Sequence, residues 1–257
     1  MHATRLGALL LPILLLPLTA CGSGGDGRAG DVDATLTVFA ASSLTTTFEE
    51  LERRYEREHP GVDVRLSFGG SSDLVAQIAE GARADVLATA DTATMDTLAD
   101  AGLAHGEPRE FATNTMVIAV PPGNPGRITG LPDLAKRDID LVLCQPEVPC
   151  GSAALKVAEA AGLELAPVSE EQSVTDVLAK VESGDADAGL VYVTDVTAAG
   201  DSVQGIAFPE AADVVNHYPI VAVEGSGEQE LAKEWIELVL GTGRSVLQHA
   251  GFGAPSS

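Results

Sequence analysis

From residue 35 onward the chain alternates short apolar strands with amphipathic helical stretches, and this alternation narrows its fold more than any other feature. "LTVFAA" leads into a run whose Leu44, Phe48, Leu51 and Tyr55 recur at helical spacing, ended by Pro60 and Gly61. "VDVRLSF" then alternates Val62, Val64, Leu66 and Phe68 ahead of the helical "SSDLVAQIAEG". Further on come the short strand "ADVLATAD", then "NTMVIAVPPG", "DIDLVLC", the helices "SAALKVAEAAG" and "SVTDVLAKVESG", the strand "AGLVYV" and the extended "VVNHYPIVAV". A last helix, "EQELAKEWIELVLG", is expected to turn Leu231, Trp235, Leu238 and Val239 inward. Strands and helices in this order predict an α/β protein, long enough to divide into two lobes.

Two junctions in that pattern are alike. "FAASSL" and "SFGGSSD" each carry an apolar strand into paired serines at the start of a helix, with no Lys or Arg, in a chain of net charge -23. Helix N-termini present unpaired N–H groups and a positive dipole end, so such junctions can hold an anion without a cation. A small tetrahedral oxyanion is the ligand they suit. Paired serines ahead of a helix also act as plain N-caps, the role read for Ser42 and Ser72.

Residues 1–20 place Arg5 ahead of an apolar stretch broken by Pro12 and Pro17, shorter than the ~20 residues of a membrane-spanning helix. They read as a secretory signal. Leu18, Thr19 and Ala20 before Cys21 resemble the lipobox of bacterial lipoproteins, in which Cys21 becomes the lipidated first residue; the alternative is an ordinary cleavage site with Cys21 incidental. Lipidation would tether the chain to the outer face of a membrane. Residues 21–34, Gly-rich and polar, read as a flexible linker of about 20 Å reach. Their G-x-G-x-x-G at Gly22, Gly24 and Gly27 follows no strand and opens no helix, so it is no dinucleotide site.

Export would let Cys144 and Cys150 pair across "CQPEVPC", a local closure of about 2 kcal/mol. A metal pair is the weaker alternative, because no histidine lies nearby. Without the signal the chain keeps 14 Lys and Arg against 38 Asp and Glu, a net -24. That balance argues against nucleic acid, and against an anionic lipid surface except through the lipid anchor.

"FAASSL", "FGGSSDLVAQIAEGARADVLATAD", "PEVPCGSAALKVAEAAG", "SVTDVLAKVESGDADAGLVYVTD" and "HYPIVAV", in that order, resemble the molybdate-binding proteins of bacterial ABC importers from about residue 36 to the C-terminus. The resemblance implies a two-lobed, type II periplasmic-binding-protein fold whose ligand cleft lies between lobes joined by two crossover segments. Residues 35–113 plus 219–257 would form lobe I and residues 114–218 lobe II. It implies that Ser43 and Ser71 each offer a hydroxyl and a backbone N–H, that Ala90, Cys150 and Val174 offer backbone alone, and that Tyr192 offers its phenol. Cys150 stands where the family commonly has alanine, which is the one departure in the set. The implied protein is a monomer without enzymatic activity, cofactor or metal cation. It would deliver molybdate, and tungstate, to an ABC permease.

Two other readings stay open: the same fold carrying sulfate, phosphate or an organic anion, and a secreted hydrolase using Ser71. "GGSSD" is not G-x-S-x-G, and the chain contains neither H-E-x-x-H nor a phosphate loop with G-K-[ST]. The five histidines, at 2, 59, 105, 217 and 249, show no ligand spacing. An acceptor-poor site favours molybdate and tungstate, fully deprotonated at neutral pH, over phosphate, which keeps a proton that needs an acceptor. Sulfate has to be excluded by cavity size.

Overall fold

A computed structural model describes residues 32–256, so the expected signal, Cys21 and nearly all of the linker lie outside the described residues. The first strand, β1 (Ala34–Ala41), buries Leu36, Val38 and Ala40 on one face and Phe39 on the other, as a strand covered on both sides must. A 3-10 turn over Ser42–Leu44 passes it into α1 (Thr45–Glu58), whose apolar stripe Phe48, Leu51 and Tyr55 packs onto that sheet. Gly61, at φ 97°, makes the reversal into β2 (Val62–Gly69), where a side chain would be strained. There follow α2 (Ser71–Ala79), β3 (Val86–Ala88), α3 (Thr92–Asp100) and the long β4 (Ala104–Val120). Then come β5 (Leu141–Cys144), α4 (Pro149–Ala160), β6 (Ser169–Glu171), α5 (Val174–Ser183), β7 (Ala188–Tyr192), α6 (Val193–Ala199), β8 (Gln204–Ile206), β9 (Val215–Val223), α7 (Gln229–Leu240) and α8 (Arg244–His249).

The strands lie in the order β2-β1-β3-β9-β4-β7-β5-β6, with β8 also paired to β4. β1 is parallel to β2 and β3, and β5 is parallel to β6 and β7. Between these parallel groups run β9 and β4, antiparallel to each other and to their neighbours β3 and β7. Each parallel group has its own core. One gathers Leu36, Phe48, Trp235 and Tyr218 on one face of its sheet and Leu74, Leu87 and Met95 on the other. The second gathers Ile118, Leu141, Val157, Val177 and Leu190. β4 and β9 pass from one core to the other, and where they cross, Asn114 lies opposite Asn216 and Ala112 opposite Tyr218.

Several expectations need correction. α7 turns the expected Trp235 and Val239 inward, with Leu231 and Leu238 half-buried against the same core, but it also buries Ala232, Ile236 and Leu240, which were not named. The observed stripe follows i, i+3, i+4, i+7, i+8, the wider face that a globular core demands. β4 begins ten residues before "NTMVIAV", because two register irregularities let it keep pairing with β9 through polar residues. α3 was not anticipated either; Asp91 caps it, accepting from Thr94 N–H at 2.9 Å. No helix among the described residues is long and apolar enough to cross a membrane.

Candidate anion site

Every parallel strand ends towards the same crevice, the place where open α/β sheets bind ligands. β1 ends at Ala41 and hands over to Ser42 and Ser43; β2 ends at Gly69, two residues before Ser71 opens α2. From the other side β5 ends at Cys144, five residues ahead of α4, and β7 ends at Tyr192 itself. Ser43, Ser71, Ala90, Cys150, Val174 and Tyr192, drawn from four of the five motifs, all line one cavity with about 210 Å³ of empty space, part of it open to solvent. No Lys or Arg is among the residues lining it. A larger open groove of about 1180 Å³ adjoins it and shares Ser42 and Ser43. The small cavity is the better oxyanion site, because the first residues of α2, α4 and α5 meet there with no acidic side chain among its lining, whereas Glu50, Glu182 and Asp195 line the groove.

Those starts are unusual. α2 and α4 have Gly70 and Val148 at their N-cap positions, and neither carries a side-chain cap. Their first N–H groups are therefore left without a side-chain acceptor. Pro149 opens α4, a position where its missing N–H costs nothing. The serine pairs are not N-caps: Ser72 Oγ instead donates across the cleft to Glu147 O at 2.7 Å, and the caps ahead of Ser42 and Ser71 are Ala41 and Gly70. α5 differs, since Ser173 Oγ accepts from Asp176 N–H and donates to Asp176 Oδ2 at 2.6 Å. Cys144 and Cys150 are joined as a disulfide that ties the end of β5 to the first turn of α4. Gly151 follows because a Cβ there would lie 1.8 Å from Gln145 O.

The polar groups of the site are individually accounted for. Ser71 Oγ accepts Ala90 N–H at 3.0 Å, so Ala90 meets the cavity through that hydroxyl rather than by a free N–H. Ser43 Oγ is 3.0 Å from Tyr218 OH, and Tyr192 OH accepts from Asn216 Nδ2 at 3.1 Å. Burial holds the phenols of Tyr192 and Tyr218 well above the usual tyrosine range, so both stay protonated. Asn114, Asn216 and Tyr218 were not foreseen as parts of the site. Their only sequence signal is polarity inside extended runs that are otherwise apolar.

Two parallel half-sheets, each with its own core, linked by two long strands and closing on a cation-free crevice, define a two-lobed periplasmic-binding-protein fold of type II. Over residues 36–253 the chain matches the family described as bacterial extracellular solute-binding protein, and it belongs to that family. The molybdate-binding protein ModA of Mycobacterium tuberculosis is 45% identical over 252 residues, covering 96% of this chain and 97% of the relative. Among solved structures, the periplasmic molybdate-binding protein of Azotobacter vinelandii superposes with a TM-score of 0.74 at 24% identity, covering 86% of this chain and 100% of that one. The sulfate-binding protein SubI of Mycobacterium tuberculosis gives 0.70 at 19% identity, covering 85% of this chain and 86% of that one. Both superpositions speak for the fold alone.

Proposed function

We propose that this chain captures molybdate, and tungstate with it, outside the cytoplasm and delivers it to an ABC permease. One observation carries the reading: uncapped helix starts and the hydroxyls of Ser43, Ser71 and Tyr192 surround a single small cavity that no cation lines. In this reading Ser43 and Ser71 donate hydroxyl and backbone N–H, Cys150 and Val174 donate backbone N–H, and Tyr192 donates its phenol. Ala90 acts by fixing Ser71. Lobe I is residues 35–113 plus 219–257 and lobe II residues 114–218, hinged on β4 and β9. Cys21 carries the lipid that keeps the monomeric protein beside its permease. The function is binding without catalysis, cofactor or metal cation, in keeping with a family of solute-binding proteins.

Uncharged donors suffice in magnitude. Hydrogen bonds to a charged group contribute ~1.5–3 kcal/mol each, so about six give ~9–18 kcal/mol gross. Association costs at least ~4 kcal/mol, which leaves roughly micromolar to nanomolar affinity. The hydrolase reading has no support in the site, since the partner of Ser71 Oγ is a backbone N–H and not an imidazole. Sulfate is the second reading, because the same uncharged donors suit any fully deprotonated tetrahedral dianion. Isothermal titration of the linker-free domain with molybdate, tungstate, sulfate and phosphate, each at two ionic strengths, decides between them. Molybdate and tungstate should bind most tightly, with affinities that barely change with salt because the donors are local dipoles. Calorimetric silence towards both oxometallates, or tighter binding of sulfate, would refute the reading.

A further inference from the structure

The open groove beside the anion cavity has the opposite polarity. Glu50 on α1, Glu182 on α5 and Asp195 on α6 line it, and no Lys or Arg is among its lining residues. Three of its threonines have turned their protons away: Thr45 Oγ1 donates to Ser42 O at 2.7 Å, Thr47 Oγ1 to Leu44 O at 2.9 Å and Thr197 Oγ1 to Val193 O at 2.9 Å. A hydroxyl that has given its one proton to a carbonyl offers only lone pairs. His249 is alike, because its Nδ1 faces Ser245 O, which can only accept, and this makes Nε2 of the neutral ring an acceptor. Asp195 adds an observation of another kind. The residue is 5% exposed yet lines the groove; its Oδ2 accepts Tyr192 N–H at 2.8 Å, while Oδ1 has no hydrogen-bond partner among the described residues. A buried carboxylate with one oxygen unmet carries a desolvation cost that a cation beside it would offset.

We infer that this groove is a second binding site, which takes the ammonium head of a small primary aliphatic amine on Asp195 Oδ1 and lays its alkyl chain against Leu178, Val246 and Phe252. The chemistry matches on both counts. An ammonium carries three N–H donors and no acceptor, so it needs surroundings that accept from several directions, and the carboxylates and spent hydroxyls supply them. The groove shares only Ser42 and Ser43 with the anion cavity, and the inference does not depend on what that cavity holds.

Isothermal titration with n-butylammonium chloride tests it, set against tetramethylammonium chloride, which has the same charge but no N–H. An acidic chain gathers any cation loosely, and such diffuse binding treats the two salts alike. The groove should instead bind n-butylammonium about tenfold more tightly or better. Asp195→Asn keeps an oxygen for Tyr192 N–H and turns an amide donor towards the groove, so it should weaken n-butylammonium about tenfold. A pH profile reads what a merely structural role of Asp195 would not move. Burial holds its pKa at about 7 while the amine stays protonated, so affinity should climb about tenfold between about pH 6 and pH 8. The other titratable groups around Asp195 are Glu50, Glu182, His249 and the phenols of Tyr192 and Tyr218, of which only the imidazole is of a type that ordinarily titrates in this range. His249→Gln, an exposed exchange, removes it and should leave the climb in place. Equal affinity for the two salts overturns the inference, and so does Asp195→Asn that binds n-butylammonium as the parent does. A climb that vanishes with His249→Gln overturns it too, and this profile decides the matter if Asp195→Asn fails to fold.

Discussion

Behind Tyr192, the Asp195 carboxyl is buried and receives one backbone N–H, that of Tyr192, at 2.8 Å. Burial pushes its pKa from the ordinary 3.8 up to about 7, against the opposing pull of that single hydrogen bond. A pKa raised by folding favours the folded chain fully below the unfolded value and loses that favour as pH climbs through the folded one. Asp195 should therefore weaken the fold progressively between pH 3.8 and about 7, by an amount on the order of a few kcal/mol. Asp195→Asn keeps an oxygen for Tyr192 N–H and carries no charge. Its melting temperature should exceed that of the parent at mildly alkaline pH, and the gap should shrink on acidification. Parallel melting profiles for the two proteins across that range would show that Asp195 is ionised without cost.

At the scale of the element, the start of α2 shows how closely the two halves meet. Gly70 has an extended backbone, φ -61° and ψ 132°, that alanine adopts freely. A Cβ there would nevertheless stand 2.3 Å from Gln172 O, which belongs to the opposite half of the cleft. Gly70→Ala should hold the halves apart while leaving each core untouched: melting temperature nearly constant, molybdate affinity lowered tenfold or more. Equal affinity in calorimetry would mean that the cleft need not close this far.

The strand-to-helix junctions were legible from sequence because their signal is local. An apolar run, a pair of small polar residues and a helical stripe lie within about ten residues of each other, and Ser43 and Ser71 stand at fixed places in that frame. Asn114, Asn216 and Tyr218 were not legible, since their roles depend on which residues β4 and β9 set opposite one another, a pairing of segments far apart in the chain. The inward face of α7 was legible in part: Trp235 and Val239 are buried and Leu231 and Leu238 pack half-buried against the same core, while Ala232, Ile236 and Leu240, which complete the stripe, were not singled out.

Across the whole molecule, 38 acidic residues repel the dianion that the cleft is proposed to take. Screening limits that field to ~8 Å at physiological salt, so it slows approach more than it weakens the bound state. Donors from both halves reward closure, so saturating molybdate should make the chain more compact in small-angle scattering. An unchanged radius of gyration would place all the ligand's contacts on one half.

The strands β4 and β9, which join the halves, also carry Asn114 and Asn216, so the proposed hinge holds the amides that bond to Thr194, Ala90 and Tyr192 around the cleft. In the proposed division into lobes, Asn216 and Ala90 stand on opposite halves, so parting them would break the Asn216 Nδ2–Ala90 O hydrogen bond. If the proposed closure holds, grip and posture rise and fall together: a gaping protein would already have let its cargo go, and a clasped one would report by its outline alone that it is loaded.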